Sequence, residues 1–407
     1  MRWTAELTGI ALRAIWTNKL RSFLTILGNI VSVGSIIAVV SLIQGLNAEV
    51  AGAIVSRLGS DSFTVERIGP TMSESEIEAA RNNPRISLDD VDAIRRFSTN
   101  VGAVMAEARR NGEVSYHNRL LERIRIRGIT SDYLEFPTFT PEQGRLISRT
   151  EIQRNRAVAV LGWDTASRLF GQVDPLERTI TVQGVHFRVV GISKPTSTIF
   201  GQSQDEFVVI PLGQFRKLFG PRPPLTLMAR PKIPDGLRQA MEETTVALRI
   251  ERRLRPSQEN NFGLFTSNTV LGIYEQATTG IFTVLIGIVS LSLVVGGVVI
   301  MNIMLMVVSE RTREIGLRKA LGARKRDVMW QILIESVILS VLGGLLGTGL
   351  GFAVAFTVSS LTPVTAIVQP WSIVLGVSMT AAVGIFFGLY PAARAAALDP
   401  IAALGRT

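Results

Sequence analysis

Side chains that could catalyse a reaction or bind a metal are scarce in this chain of 407 residues. It has no cysteine and only two histidines, His117 and His186, and neither belongs to a His-Glu-x-x-His zinc motif. It also lacks the Gly-x-Ser-x-Gly turn of serine hydrolases and the Gly-x-x-x-x-Gly-Lys-Ser/Thr loop that cradles phosphates. The sequence therefore predicts no catalytic residue, no metal site, no disulfide and no cofactor bound by this chain.

The most distinctive charged segment is residues 309–323, which lies between two long apolar tracts. Its pattern predicts a short charged helix that ends at Gly322, because glycine permits the left-handed backbone of a helix cap. Glu314 precedes Arg318 by four residues, which is the order that favours an ion pair on a helix. An alternative interpretation is a solvated loop whose basic residues bind lipid headgroups.

Three tracts without charged residues predict membrane spans. They run from Ser22 to Ala48, from Gln276 to Ser309 and from Ser336 to Ala393. Because a helix needs about 20 apolar residues to cross a bilayer, the first two tracts each predict one span and the third predicts two. The predicted spans are residues 23–46, 278–308, 332–358 and 372–393, with a short outer loop at 359–371. A purely soluble protein is excluded.

The distribution of lysine and arginine predicts how these spans are oriented. Basic residues are concentrated in residues 1–22 and in the segment 309–331, whereas the loop 359–371 has none. Since basic flanks stay on the cytoplasmic side, both termini, including the tail 394–407, are predicted inside and residues 47–277 outside. The expected protein is a multi-pass protein of the cell (inner) membrane.

The net charge of +10 does not indicate nucleic acid binding. Residues 47–277 are nearly balanced, with 30 Lys+Arg against 27 Asp+Glu. Most of the excess lies at the inner face, where anionic membrane lipid attracts it. Trp3, Leu7 and Ile10 share one face of residues 1–22, which predicts an amphipathic helix on the cytoplasmic leaflet.

Glycines in the last two spans predict close helix packing. Gly343, Gly347 and Gly351 are spaced four residues apart and share one helix face, and Gly384 and Gly388 repeat the spacing. No ionisable residue lies in the middle of a span. Because such residues usually mark proton or ion paths, their absence argues against a proton-coupled transporter and an ion channel.

Residues 47–277 alternate between strand-like and helical patterns, which predicts an α+β domain. Strands are expected at 62–67, 156–161, 179–182, 185–190 and 207–211, and helices after the cap residue Ser87, at 164–170 and at 235–253. Gln183-Gly184 predicts a hairpin turn between two of the strands. Because strands dominate the middle and helices flank it, a split domain with an inserted β-rich subdomain is expected.

Several motifs resemble a known family. Residues 296–305, 310–323 and 390–401 resemble the FtsX-like permease region of MacB-type ABC transporters, and residues 18–28 resemble its first span. Shorter matches to the family's periplasmic core domain occur at 144–145, 158–162, 168–171 and 174–175. The sequence is thereby identified as a MacB-type (FtsX-like) ABC transporter permease.

The resemblance implies a fold. A four-span α-helical transmembrane domain accompanies an α+β extracytoplasmic domain, which has a porter-like part and an inserted β-rich subdomain. Residues 47–277 are assigned to the MacB-like periplasmic core domain, and residues 278–400 are assigned to the FtsX-like permease domain.

The resemblance also implies partners. A cytoplasmic ABC ATPase subunit binds ATP and Mg, and a second permease subunit completes a homodimer or heterodimer. Because 22 residues precede the first span, the ATPase is expected to be a separate polypeptide. ATP binding draws the inner faces together and reshapes the outer domains without passing substrate through the membrane, a mechanism called mechanotransmission.

The charged segment is then expected to dock on the ATPase, with Ile315 and Leu321 as apolar anchors and Glu314 and Arg318 as a brace. The full set of predicted coupling residues is Arg311, Glu314, Ile315, Arg318, Leu321 and Gly322. Two functions fit this picture. The first is export or extraction of amphiphilic substrates such as peptides, drugs or lipoproteins, with a periplasmic adaptor. The second is regulation of an outer partner, such as a cell-wall hydrolase or sensor kinase, without moving any substrate.

Overall fold

The computed structural model of the chain describes residues 19–70, 73–136, 139–196, 203–362 and 365–404. Most of the amphipathic helix predicted at 1–22 lies outside these residues. The chain divides into two compact units, residues 49–277 and residues 1–48 with 278–407. We call them the sheet unit and the helical unit. The predicted outer segment was residues 47–277.

The sheet unit combines ten strands with short helices. Its strands are β1 (Phe63–Glu66), β2 (Val101–Tyr116), β3 (Arg119–Ile129), β4 (Pro141–Gly144), β5 (Val158–Leu161), β6 (Thr179–Val182), β7 (Val185–Ser193), β8 (Phe207–Pro211), β9 (Leu225–Pro231) and β10 (Gly263–Thr266). Helix α1 (Lys19–Leu58) begins in the helical unit and ends in the sheet unit. The other helices of the sheet unit are α2 (Glu74–Ala80), α3 (Leu88–Phe97), α4 (Arg149–Gln153), α5 (Trp163–Phe170), α6 (Leu212–Phe219) and α7 (Leu237–Glu251).

All ten strands join one sheet in the order β10-β1-β9-β2-β3-β8-β5-β7-β4, and β6 pairs with both β2 and β7. Strands β4 to β8 come between β3 and β9 in the sequence, and they extend the sheet beyond β3 through a parallel β3–β8 pair. A β-rich segment is thus inserted between two strands of the flanking part. The predicted fold class, a four-span helical domain with an α+β domain, is confirmed.

Local signals in the sequence account for several of these elements. Helix α3 begins with a capping box in which Ser87 and Asp90 satisfy each other's backbone N–H groups. The β6–β7 hairpin turns at Gln183 and Gly184, whose φ angles of 49° and 79° are both positive, as a two-residue turn of this type requires. The long β2–β3 hairpin was not among the predicted elements.

Buried charges tie the sheet unit together. Arg252, just after α7, donates from Nε and Nη2 to the carboxylate of Asp90 in α3, with both distances 3.0 Å. Both side chains are at most 7% exposed. Because a buried charge without its partner is strongly destabilising, this pair fixes α3 against the end of α7.

The helical unit contains the long apolar helices. They are α10 (Lys325–Leu361), α11 (Pro370–Ala397), most of α1 and most of α8 (Ser267–Glu310), which begins in the sheet unit and enters the helical unit at Thr278. Two short helices, α9 (Thr312–Ala320) and α12 (Pro400–Leu404), accompany them. Four helices in the described part of the chain are long and apolar enough to cross a bilayer, namely Ile26–Ser56 within α1, α8, α10 and α11. The helices extend beyond the predicted spans, because the predictions were bounded by the charge-free tracts and the helical backbone continues into the polar residues on either side.

One face of α10 lies against α1 at its three spaced glycines. A Cβ atom at Gly343 would lie 2.9 Å from Asn29 Cβ, and one at Gly347 would lie 2.7 Å from the carbonyl oxygen of Ile30. At Gly351 the corresponding distance is 2.8 Å, to the carbonyl oxygen of Gly34. The two backbones therefore approach each other so closely that no side chain fits between them.

The glycines of α11 lie against α10 in the same way. A Cβ atom at Gly384 would lie 2.7 Å from Ser340 Oγ, and one at Gly388 would lie 2.6 Å from Ser336 Cβ. Helix α10 is thus held between α1 and α11 by small residues on two of its faces.

Gly347 and Gly349 offer a matched test of this packing, because both lie in α10 but nothing lies within 4 Å of a Cβ atom at Gly349. Gly347→Ala should lower the thermal unfolding midpoint of the detergent-purified chain, because the added methyl group must push α1 away. Gly349→Ala should leave the midpoint unchanged or raise it, since alanine favours a helix over glycine by up to about 1 kcal/mol. Equal midpoints for the two variants would contradict the packing described here.

Candidate functional site

The charged segment after α8 folds as helix α9 and ends in a glycine cap. Gly322 has a φ angle of 102° and donates its N–H to the carbonyl oxygen of Lys319 at 3.1 Å. The next N–H, of Ala323, reaches the carbonyl oxygen of Arg318 at 3.0 Å. These two bonds form a Schellman motif, in which the left-handed residue is normally glycine. The cap lets the chain turn back into α10.

The pair at the centre of α9 has the geometry that its spacing predicts. Arg318 Nη2 donates to Glu314 Oε1 at 2.6 Å. The other end of the same guanidinium, Nη1, donates to Gln331 Oε1 at 2.7 Å. Because Gln331 belongs to α10, Arg318 connects α9 to α10 as well as bracing α9 internally.

Ile315 lies on the inner face of α9 and is only 5% exposed. It belongs to an apolar cluster that includes Met304 and Val308 of α8, Val328 of α10 and Ala392 of α11. The expectation that Ile315 offers an anchor to another protein is therefore corrected. Its side chain packs within its own chain, because it projects from the face of α9 that is turned toward the other helices.

The opposite face of α9 is exposed and carries two leucines beside the charged residues Arg313 and Glu314. Leu317 is 52% exposed and Leu321 is 81% exposed, and their spacing of four residues puts them on the same side of the helix. Ile401 of α12 is 82% exposed. Leu317 and Leu321, which we call the docking face, lie outside all four predicted spans, as does Ile401. Exposed apolar residues grouped in this way are typical of a surface that binds a partner.

Two cationic side chains attach α9 to the other helices. Arg311, at the start of α9, lies 3.4 Å from Glu335 of α10, which is 8% exposed. Lys319, near the end of α9, donates from Nζ to the carbonyl oxygens of Ala396 and Leu398 at the end of α11, the first at 3.0 Å. A lysine at these carbonyls satisfies acceptors that the helix itself leaves open, and it is favoured there by the helix dipole.

Helix α12 completes the attachment from the other side. A Cβ atom at Gly316 would lie only 2.6 Å from Ala403 Cβ, so α9 and α12 touch at small residues. Helix α9 is therefore fixed to α8, α10, α11 and α12 along one side, whereas its docking face is open.

Residues that hold α9 in place were not all predicted. Lys319, Gln331 and Glu335 were absent from the predicted set, although Glu335 is the last charged residue before the tract Ser336–Ala393. That position is a usable signal, because a carboxylate at the edge of an apolar tract needs a cation nearby. The two histidines do not contribute here, since His117 lies in the β2–β3 turn and His186 lies in β7. Within the described residues, no group of three or more side chains could hold a metal ion.

Comparison with known families identifies this architecture. Residues 22–246, more than half of the chain, match the family described as the MacB-like periplasmic core domain. Residues 279–400 match the FtsX-like permease C-terminal family. The chain belongs to the MacB-like, FtsX-type permease family. Helix α9 and its attachments all lie within the FtsX-like region, except for Ala403 and the rest of α12 beyond residue 400.

Named relatives of this permease cover nearly all of the chain. The macrolide export ATP-binding/permease protein MacB of Bdellovibrio bacteriovorus is 34% identical over 399 residues, which span 95% of this chain and 59% of that protein. The MacB protein of Chlorobaculum tepidum is 33% identical over 395 residues, which span 97% of this chain and 60% of that protein. This chain therefore spans about three fifths of the length of these curated relatives.

One solved structure with a related description is the periplasmic region of MacB from Actinobacillus actinomycetemcomitans. It matches with a TM-score of 0.44 and 15% sequence identity, and the match covers 54% of this chain and 95% of that one. Taken together, the two family matches and the four apolar helices make this chain a multi-pass membrane permease of the MacB-like family.

The contrast between Ile315 and Leu321 gives a direct test of the site. Ile315→Asp should lower the thermal unfolding midpoint of the purified chain strongly, because packing worth about 2–5 kcal/mol is lost and an unpaired carboxylate enters an apolar cluster. Leu321→Asp should leave the midpoint within about a degree or two, since substitutions at exposed positions usually change stability by less than about 0.5 kcal/mol. If the two variants unfold at the same temperature, Ile315 is not the internal packing residue described above.

Proposed function

We propose that this permease couples ATP hydrolysis by an ABC ATPase to a conformational change of its sheet unit, by mechanotransmission. The observation that supports this most directly is the division of α9 into two sides. One side is fixed to the ends of α8, α10 and α11, and the other side exposes Leu317 and Leu321. A partner bound to the exposed side of α9 can therefore move α9, and the contacts on the other side of α9 transmit that movement to the spans.

The energetics of docking favour this role. Burying one leucine side chain stabilises an interface by about 1.5–3 kcal/mol, and a few well-buried residues usually account for most of the binding energy of an interface. Charged residues at the rim contribute less, so Glu314, Arg318 and Arg313 mainly set the orientation of the partner. The proposed partner surface is therefore an apolar groove in the ATPase that accepts Leu321.

The proposed orientation follows the distribution of basic residues. Segments rich in lysine and arginine at 1–22 and 309–331 lie in the cytoplasm, and residues 47–277 lie outside the cytoplasmic membrane. Both termini are cytoplasmic in this arrangement. The docking face then lies on the side where ATP and an ABC ATPase are present.

The assembly that we propose has two permease subunits and two ATPase subunits, and the ATPase subunits hold ATP and Mg²⁺. Its cargo is an amphiphile such as a peptide, a drug or a lipoprotein, which the sheet unit handles outside the membrane together with a periplasmic adaptor. The absence of ionisable residues from the middle of the predicted spans supports this, since such residues usually mark proton or ion paths across a bilayer. A regulatory role on an outer partner uses the same mechanics and is the second candidate.

Cysteine labelling tests the orientation, and the native chain has no cysteine to interfere. Ser257 in the sheet unit and Ala320 in α9 are both exposed, so accessibility to the reagent differs only by the side of the membrane. Ser257→Cys should react with a membrane-impermeant maleimide in cells whose outer barrier is permeabilised. Ala320→Cys should react only after lysis. The reverse pattern would overturn the proposed orientation.

Leu321→Asp tests the docking proposal. Reconstituted with the cognate ATPase, this variant should lose most of the permease-dependent stimulation of ATP hydrolysis, because its carboxylate cannot enter an apolar groove. Leu321→Met should retain the stimulation. Leu361→Asp is the matched control, and it should retain the stimulation. Leu361 is almost as exposed as Leu321, at 80%, but it lies at the far end of α10 from α9.

The lipid-anchoring interpretation of the same segment predicts a different result. Under it, replacing Arg324 and Lys325 by glutamine should impair function, and Leu321→Asp should be tolerated. Full stimulation by Leu321→Asp, in a complex that still co-purifies with the ATPase, would refute docking through this face.

A further inference from the structure

A cleft of about 510 Å³ opens in the sheet unit between the end of α1, the β2–β3 hairpin and the segments that flank β8. Its volume is within the range of small-molecule sites. Three arginines of the hairpin, Arg109, Arg125 and Arg127, line it together with Lys194 and Asp205. We call it the arginine cleft. It lies wholly within the sheet unit, far in sequence from the docking face.

Two of the three arginines are held in fixed positions by a buried carboxylate. Glu107 is 1% exposed, and each of its oxygens accepts hydrogen bonds from both Arg109 and Arg127. Burial alone would raise the pKa of Glu107, but the charges and hydrogen bonds of Arg127 and Arg109 lower this pKa to about 2. Arg127 also stacks on the rings of Phe139 and Phe207, 4.6 Å and 5.4 Å from their centroids. The guanidinium groups are therefore arranged before any ligand arrives.

These arginines keep unused donors. Arg109 and Arg127 both engage Glu107 through Nε and Nη2, and neither Nη1 group has a hydrogen-bond acceptor in the described part of the chain. No carboxylate lies within ion-pair distance of Arg125 or Lys194 among the described residues. Burial, followed by the charges of Arg127 and Arg109, lowers the pKa of Arg125, and the charges of Glu107 and Glu206 act in the opposite direction.

The charges that line the cleft do not cancel. Four cations, Arg109, Arg125, Arg127 and Lys194, line the cleft, and Asp205 is the one carboxylate among its described lining residues. Outside the lining, buried Glu107 pairs with Arg109 and Arg127, and the charges of Glu206 and Glu66 act on Arg125 and Arg109. The neighbouring surface of the sheet unit is nearly neutral by comparison, with 30 basic against 27 acidic residues in 47–277. Guanidinium donors fixed in a cleft are suited to an oxyanion, and a phosphate, which has more oxygens than a carboxylate, can accept from more of these donors at once.

Two further polar atoms at the cleft lack partners. Ser193 Oγ and Asp205 Oδ1 are both buried, and neither has a hydrogen-bond partner in the part of the chain that the structure describes. The other carboxylate oxygen of Asp205 accepts the N–H of Thr196 at 2.6 Å. Buried polar atoms are rarely left unsatisfied in a folded protein. A ligand hydroxyl would donate to Asp205 Oδ1, and Ser193 would donate to a ligand oxygen.

We propose that the arginine cleft binds a phosphate ester that also carries a hydroxyl group, with the phosphate at Arg125 and Lys194 and the hydroxyl at Asp205. A glycerophosphate headgroup has this chemistry. It occurs on an anionic membrane lipid and also as a free phosphate ester. Ala53 and Val55 of α1 contribute apolar groups beside Ser56 and Ser60, and these apolar groups suit the acyl region of a lipid. The proposal goes beyond coupling to an ATPase and does not depend on it.

Titration calorimetry on the full chain in neutral detergent tests this inference. The probes are dihexanoyl phosphatidylglycerol, sn-glycerol 3-phosphate and, as a zwitterionic comparison, dihexanoyl phosphatidylcholine. Dihexanoyl phosphatidylglycerol should bind to the native chain, and its Kd should rise steeply with salt. Arg125→Gln with Lys194→Gln should raise that Kd by about tenfold or more, since removing a charge-assisted hydrogen bond to the phosphate weakens binding.

A double variant with the same change in charge is the control. Arg178 and Lys217 are exposed residues of the sheet unit that do not line the cleft, so Arg178→Gln with Lys217→Gln should bind as the native chain does. Arg125 and Lys194 hold no ion pair within the described residues, so their variant should keep the native circular dichroism spectrum.

The probes distinguish the two sources of the ligand. Binding of glycerol 3-phosphate with comparable affinity identifies a free phosphate ester, and binding of the lipid alone identifies a headgroup that needs its acyl chains. The proposal is overturned if neither probe binds, or if phosphatidylcholine binds equally well. It is also overturned if the cleft variant and the control variant have the same Kd. None of these results bears on docking of the ATPase, which is measured separately.

Discussion

The close approach of α10 to α1 and α11 is the constraint on which the helical unit depends. Apolar side chains gain little by leaving lipid for a helix interface, so helices in a membrane associate through close van der Waals packing. Glycines at the contacts let the backbones come together and so fix where the ends of α10 and α11 lie. Those ends carry Glu335 and the carbonyl groups that Lys319 binds, and they determine the position of α9.

The coupling that we propose for α9 requires two properties of one short helix. Ile315 and Lys319 are committed to the chain's own helices, which makes the inner side of α9 rigid. Leu317 and Leu321 project from the other side and are available to a partner. A mechanical link needs both properties, because a flexible connection would dissipate the displacement and a fully buried helix would have nothing to bind.

In the sheet unit, by contrast, the contacts that hold separate elements together are between charged side chains. Glu107 organises two arginines and leaves part of each available to a ligand. Asp90 and Arg252 form a pair that connects elements distant in sequence. In a MacB-like permease that transmits motion to this unit, a rearrangement of the β2–β3 hairpin would alter the arginine cleft directly.

Much of this protein was determined by the sequence alone. Charge-free tracts define the spans because a bilayer excludes charge, and Gly322, the Ser87 cap and the Gln183-Gly184 turn work through local backbone geometry that a few residues dictate. The fold class, the spaced glycines and the Glu314–Arg318 pair were predictable for the same reason. The β2–β3 hairpin was missed, although Arg123 to Arg127 alternate with Ile124 and Ile126 as a half-buried strand does.

Only the tertiary structure decided which side of α9 is available. Ile315 and Leu321 look alike in sequence, yet one is buried and the other exposed, because α8, α10 and α11 converge on one face of the helix. The same holds for Arg311 with Glu335 and for the arginines around Glu107. Their roles depend on residues brought together from separate segments, and contacts of that kind leave no periodic signal in a single chain.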